Sequence, residues 1–209
     1  MTDWLAWHAE YETPQSALSQ RLSVVQELLA EAVVSHKDQH LRVLSICAGD
    51  GRDVLPVLAR TGSREKISGR LIELEPELAE RARRELIRAG LRGLEVVCGD
   101  AARPANYSGA IPTELVLVCG VFGNVSDRDV RQIIDALPAM CALDANVVWT
   151  RHRRDPDLTP TIREWFTAAG FEERAFHSPG PGHFSVGRHQ LVVSPRERRL
   201  RDPLFKFTR

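Results

Sequence analysis

Residues 41–53, Leu-Arg-Val-Leu-Ser-Ile-Cys-Ala-Gly-Asp-Gly-Arg-Asp, constrain the fold more than any other stretch, because an apolar run stops there in a glycine-containing turn and a helical pattern follows at once. Such a run suits a buried parallel strand, followed by a tight loop and a helix N-terminus at the strand's carboxyl edge. Gly49 and Gly51 let the backbone turn and leave room for a ligand to come close. The amides of the first helical turn would face that ligand. A Gly-x-Gly turn alone is often only a tight connection; its surroundings are more specific. The next apolar stretch, residues 66–74, carries Glu73, twenty-two residues after Gly51. In open α/β sheets a carboxylate at this place accepts hydrogen bonds from ribose hydroxyls, so loop and acid together predict a nucleoside-bearing cofactor.

Two features separate a dinucleotide from S-adenosylmethionine. A dinucleotide fingerprint wants a third glycine or an alanine, and that position holds Val54. Asp50 and Asp53 also place two carboxylates where a pyrophosphate would sit. Like charges ~4 Å apart near a protein surface repel by roughly 4 kcal/mol before screening. A ligand with an ammonium and a sulfonium and no phosphate turns those acids into an asset. Arg52 is a counterweight whose long side chain is expected to point to solvent.

Residues 43–51, Val-Leu-Ser-Ile-Cys-Ala-Gly-Asp-Gly, resemble the first motif of the class I S-adenosylmethionine-dependent methyltransferases, whose usual form is Val-Leu-Asp-Leu-Gly-Cys-Gly-Thr-Gly. Here Ser45 replaces the acid, Cys47 the first glycine and Ala48 the cysteine. The resemblance spans about residues 41–195 and implies a seven-stranded, mostly parallel Rossmann-like α/β sheet with one antiparallel strand and helices on both faces. It further implies that Ala48, Gly49, Asp50 and Gly51, then Glu73 and Leu74, Asp100 and Ala101, and Cys119 and Gly120 surround S-adenosylmethionine, with Asp100 accepting from the adenine amino group and the backbone of Cys119 and Gly120 serving the amino-acid end. In the family the strand-end acid helps hold the methionine ammonium; Ser45 cannot, and Asp50 or Asp53 could compensate.

The rest of the chain fits one domain of 209 residues, with residues 1–38 as an N-terminal helical arm, 39–195 as the core and 196–209 as a basic tail. Trp4, Trp7, His8 and Tyr11 share one helical face and form either an aromatic anchor or a lid with Tyr11 or His8 toward substrate. Thr13 and Pro14 read as cap and first position of a helix that runs to about Val34, with Leu18, Leu22, Val25, Leu29 and Val33 on its inner face. Arg21 lies beside that stripe, solvated or reaching a carboxylate such as that of methionine. A helix to about Arg60, a second over 76–89 ended by Gly90, and strands over 94–98 and 114–119 follow. In the glycine-rich loop after Cys119, Phe122 and Asn124 are candidates for substrate or adenosine contacts, and Ser126 caps a helix that continues through Leu137. A strand over 145–150 leads into Arg151-His152-Arg153-Arg154, a solvated loop or a receptor for an anionic substrate, with His152 the candidate contact. A helix over 158–169 buries Trp165 and Phe166, and strands over 171–176 and 185–194 close the sheet. The tail, with Leu204, Phe205 and Phe207, reads as an anchor or an oligomer contact.

Composition excludes several classes. The 28 basic and 28 acidic side chains balance, so no long-range attraction to nucleic acid is expected, although a local basic patch is compatible with that total. No apolar run approaches the ~20 residues of a membrane span and no signal-peptide pattern opens the chain, so the expected location is cytoplasmic, without a membrane partner. Cys47, Cys98, Cys119 and Cys141 show no metal-binding spacing. Methyl transfer needs alignment more than acid-base chemistry, and no catalytic pair stands out; His8, Tyr11, His152 and His183 are the candidates for a base. There is no Asn-Pro-Pro-Tyr or Asp-Pro-Pro-Tyr after the fourth strand, so a small-molecule acceptor leads, while protein and nucleic-acid acceptors stay open. A noncatalytic cofactor-binding or scaffold protein and a nicotinamide dehydrogenase are the rivals.

Overall fold

The computed structural model describes residues 11, 13, 15–36, 39–195 and 198–208. The face formed by Trp4, Trp7 and His8, and the expected helix start at Pro14, lie outside them. Ser16 caps α1 (Ala17–Val34), its hydroxyl accepting from the Ser19 amide at 3.0 Å, so Thr13 is not the cap. The Thr13 carbonyl instead accepts the Ser16 amide, in a turn that precedes the helix. Val25, Leu28, Leu29, Ala32 and Val33 form the buried stripe of α1.

From there strands and helices alternate: β1 (Leu41–Ile46), α2 (Leu55–Ala59), β2 (Ile67–Glu73), α3 (Pro76–Ala89), β3 (Leu94–Cys98), β4 (Thr113–Val118), α4 (Asp127–Ala136), β5 (Cys141–His152), α5 (Thr159–Ala168), β6 (Phe171–His177) and β7 (Phe184–Leu191). The sheet has seven strands in the order β3-β2-β1-β4-β5-β7-β6. β1 pairs in parallel with both β2 and β4, while β7 runs antiparallel between β5 and β6. The strand order reverses between β1 and β4, which opens a crevice at their carboxyl ends. Two apolar layers fill the faces: α1 and α2 cover one, and α4, α5 and the C-terminal Leu204 and Phe205 cover the other. By the two-residue period of β1, Ser45 shares the face of Leu41 and Val43 and is itself buried. Among the described residues no helix is long and apolar enough to cross a membrane.

β5 departs most from expectation. It extends from Cys141 to His152 because β7 pairs with it as far as His152↔Phe184, so Arg151 and His152 belong to the strand and not to a loop. The side chains of the expected cluster are also occupied: Arg151 donates to the Phe122 carbonyl and Arg153 to Asp157 at 2.7 Å. Trp165 is only half-buried, with the Arg131 guanidinium 5.6 Å from its ring centroid, whereas Phe166 is fully buried.

The β5–β7 pair is organised around Trp149. Its indole lies where a Cβ on Gly187 would come within 2.4 Å, and its Nε1 donates to His189 Nδ1 at 3.1 Å. That bond leaves the proton of a neutral His189 on Nε2, 3.6 Å from Glu173, while the ring stacks on Phe166 with centroids 4.3 Å apart. Gly187→Ala drives a methyl into a ring that has no room to retreat, and it should lower stability by about 1–3 kcal/mol in denaturant titrations. Burial pulls the His189 imidazole down to about 4, with the Glu173 charge opposing and that of Arg163 adding. Between that value and its ordinary ~6.5 the unfolded chain binds the extra proton, so this contribution to stability is complete above ~6.5 and is lost as pH falls toward ~4, worth roughly 3 kcal/mol in all. The loss should be absent from the pH profile of His189→Gln.

Candidate functional site

β1 delivers the chain into a loop that closes mainly on itself. Cys47, at the position where the resembled motif carries glycine, has a left-handed φ of 57°. A non-glycine residue there costs roughly 1–2 kcal/mol, which explains why glycine is usual. Gly51 is also left-handed, at φ 78°, and a Cβ on it would sit 2.6 Å from Leu55 Cδ1 and 3.3 Å from Leu71 Cδ2. Its missing side chain therefore serves the packing of α2 on the sheet and not the approach of a ligand. The expected free amides of the first helical turn are largely spent: Gly51 donates to Ala48, Val54 and Leu55 to Gly51, and Arg52 to the Asp50 carboxylate.

Glu73 fastens this loop. It is 8% exposed; Oε2 accepts the Gly49 amide at 2.7 Å and Oε1 the Glu75 amide at 2.8 Å. Burial raises its carboxyl above the usual range, and those backbone bonds oppose the shift. The Leu74 amide is a third backbone donor, so the carboxylate keeps one acceptor site for a further donor.

Beside Glu73 lies a cavity with about 830 Å³ of empty space, its open mouth included. Cys47, Ala48 and Gly49 line it from the loop, Leu74, Glu75 and Leu78 from the β2–α3 turn, and Cys119 and Gly120 from the end of β4. Tyr11, Arg21 and Phe207 complete the wall, so both ends of the chain reach it. Its size is that of a small-molecule site.

The charges concentrate on one side. Asp53 stands beside Cys119, whose thiol donates to the Val148 carbonyl at 3.9 Å; burial raises the Asp53 carboxyl and the Asp50 charge adds, while Arg21 and Arg52 oppose. Burial also pushes the Cys119 thiol well up. Arg21 donates to the Tyr11 hydroxyl, and burial holds that phenol above its ordinary value. Arg52 is not turned to solvent as expected: it pairs with Asp50 at 2.5 Å, and its guanidinium carbon stands 4.5 Å from the Tyr11 ring centroid.

Of the residues expected at the site, Ala48, Gly49, Glu73, Leu74, Cys119, Gly120 and Tyr11 line the cavity. Asp50 is drawn off to Arg52, and Gly51 stands behind the wall. Gly120 is present, but its amide donates to Thr150 Oγ1 at 2.8 Å and its carbonyl accepts from Asn124 at 2.6 Å. Asn124 thereby braces the loop and, through its own backbone carbonyl, receives the Thr208 amide. Phe122 is fully buried against Trp149, with centroids 5.8 Å apart, because its loop turns inward on Arg151. Neither Phe122 nor Asn124 faces the cavity. His152 lies against Gly123, away from it. Asp100 is exposed beyond the wall, with Oδ1 accepting the Ala102 amide at 2.8 Å, and Ala101 is buried with its carbonyl bound by Tyr107. Sequence reasoning considered Arg21 and Asp53 without naming them as site residues, and it passed over Glu75, Leu78 and Phe207. The signal for Arg21 was a cation beside the apolar stripe of a helix; for Phe207 there was none short of the tail's return.

No protein-family profile and no curated protein matches the chain. Its fold is shared with solved methyltransferases. The magnesium protoporphyrin IX methyltransferase of Synechocystis with bound S-adenosylmethionine superposes with a TM-score of 0.68 over 90% of this chain and 91% of that one, at 12% identity. The N-methyltransferase NodS of Bradyrhizobium japonicum gives 0.60 over 88% and 99%, at 16% identity. An RNA methyltransferase of Salinibacter ruber, in complex with S-adenosyl-L-homocysteine, gives 0.51 over 82% and 95%, at 15% identity. The strand order and the antiparallel β7 are thus those of the class I methyltransferase fold expected from the sequence.

If Glu73 is the fastening of the loop, its replacement acts before any ligand is added. Glu73→Gln turns an amide NH₂ toward a backbone N–H, and it should lower the stability of the ligand-free protein by about 1–3 kcal/mol in urea titrations. An unchanged midpoint would mean that the loop closes without this carboxylate.

Proposed function

We propose that the chain is an S-adenosylmethionine-dependent methyltransferase whose cofactor fills the cavity between the β1 loop and the ends of β2 and β4. The observation that carries this reading is a buried carboxylate with an acceptor site to spare, Glu73, lining the same cavity as an Arg21–Asp53 couple. Glu73 would take a ribose hydroxyl on its remaining acceptor site. Leu74 and Leu78 would supply an apolar shelf for the adenine ring. Arg21 and Asp53 match the carboxylate and ammonium of an amino acid, so Asp53 provides the negative charge that Ser45 lacks. A pyrophosphate would meet Asp53, Glu73 and Glu75 together, which disfavours a nicotinamide dinucleotide.

Bound there, the cofactor would supply an electrophilic methyl group on a positively charged sulfur. The chain's own residues bind and orient. Tyr11 and Phe207 stand at the cavity from opposite ends of the chain and would hold water off the reacting centre. The Tyr11 hydroxyl, kept protonated by burial and bound by Arg21, is an orienting group rather than a base. Asp53 is the one acid beside the amino-acid end with a raised proton affinity, and it could receive a proton from an acceptor that must lose one. The space also admits the small-molecule acceptor expected from the sequence, and related folds act on a porphyrin and on RNA alike.

Calorimetry with S-adenosylhomocysteine tests the assignment. Wild type should bind it, Arg21→Ala should weaken binding at least tenfold (about 1.4 kcal/mol), and NAD should not bind. Absence of binding by S-adenosylmethionine and S-adenosylhomocysteine alike would sink the proposal; binding without turnover over varied acceptors would leave a noncatalytic cofactor-binding protein.

A further inference from the structure

The tail returns over the carboxyl edge of the sheet as a strap. Leu204 and Phe205 are buried in the core, the Leu204 amide donates to the Ala102 carbonyl at 2.7 Å, and Phe207 forms a bridge with Val125. Between this strap and α4 lie two adjoining hollows that share Arg128, Gln132 and Arg201 in their walls. Their combined lining holds six cations, Arg128, Arg131, Arg198, Arg199, Arg201 and Lys206, against the three carboxylates of Asp129, Asp135 and Asp202.

One carboxylate cancels a cation of the same lining, and the other two have partners of their own. Asp135 is held by Arg131 at 2.9 Å, Asp202 by Arg103 at 2.9 Å, and Asp129 accepts the backbone amide of Lys206. Arg201 bonds only the neutral Gln132, at 2.8 Å. Among the described residues Arg128, Arg198 and Arg199 form no ion pair and are exposed. In a chain of zero formal charge, this is a local excess of positive charge built mostly from guanidinium forks, which suit phosphate oxygens better than ammonium groups do. Lys206 lines the groove, and the next residue, Phe207, lines the cavity, 38% exposed and edge-on to Phe205 at 5.4 Å, so the groove and the cavity border neighbouring residues of the strap. A basic groove flanked by an exposed aromatic ring is the arrangement that binds single strands, through phosphates along the groove and a base stacked on the ring.

We infer that the groove between α4 and the C-terminal strap binds a single-stranded nucleic acid and presents one of its bases at the cavity mouth beside Phe207. The strand is thereby the methyl acceptor, in place of the small molecule expected from the sequence. The binding surface stands on its own; the acceptor role rests on the methyltransferase reading.

Fluorescence anisotropy with a labelled twelve-nucleotide oligouridylate, in 50 to 200 mM salt, measures the surface directly. With about four phosphates neutralised, the logarithm of the affinity should fall against the logarithm of salt with a slope near −3. The triple variant Arg128→Ala, Arg198→Ala, Arg199→Ala should bind more than tenfold more weakly, with a slope shallower by about 2, and should bind S-adenosylhomocysteine as wild type does, which also certifies its fold. If the triple variant fails that check, the pair Arg198→Ala, Arg199→Ala decides. The inference is overturned if wild type does not bind the oligonucleotide at 50 mM salt, if the variants bind it equally well, or if polyglutamate or phosphatidylserine vesicles bind as tightly as the oligonucleotide does. Oligonucleotide binding without binding of S-adenosylhomocysteine would uphold the surface and remove its acceptor role.

Discussion

The site depends on one buried carboxylate. Glu73 ends β2, yet its two oxygens reach the amides of Gly49 and Glu75, so a single side chain ties the loop after β1 to the turn before α3. The strands beneath are held by a continuous ladder in which Ser45 pairs with Leu71 and Ile46 with Ile72, but the ladder stops where the loops begin. Beyond that edge only the Ala48 amide, donating to the Ile72 carbonyl at 2.9 Å, continues the backbone tie from the β1 loop to β2 among the described residues, and the Glu73 side chain adds the next. The same carboxylate that shapes the cavity also faces it, so the geometry of the site and its charge cannot be varied separately.

Much of the fold could be read from period and punctuation. The strand over residues 94–98 and the helix over 76–89 were legible to the residue, because an apolar strand and a proline-to-glycine helix carry their own stop signals. β5 was read too short: Cys141 to Asp144 and Arg151 to His152 are strand only because β4 and β7 pair with them, which is a nonlocal cause. At the site, the glycine loop, Glu73 and Cys119 followed from their place at strand ends. Phe122 and Asn124 were misread for a common reason: a loop at the correct edge can turn either way, and Arg151, Thr150 and Thr208, all distant in sequence, turn this one inward. Phe207 lay beyond the reach of local pattern, since its position is decided by Leu204 and Phe205 finding the core.

The departures of residues 43–51 from the usual motif have separable physical meanings. Cys47 keeps the left-handed backbone that glycine normally provides, at some conformational cost, so the path of the loop survives the substitution. Ser45 faces the layer beneath α1 and α2 and brings no charge, while Asp53, beyond the loop, lines the cavity with Arg21 from α1 close to it. The left-handed turn is kept where the usual motif has glycine, while the carboxylate usual at the strand end is absent.

Because Tyr11 and Phe207 border the same cavity, a molecule that touches both closes a loop of nearly the whole chain. Loop-closure entropy grows only with the logarithm of length, so even this long circuit carries a modest cost, and the occupant acts as a reversible cross-link between the two ends. Part of its binding free energy is thereby exchanged with the docking of the strap and of the segment before α1. Occupancy of the site and the contacts of Tyr11 and Phe207 with it would then be thermodynamically linked.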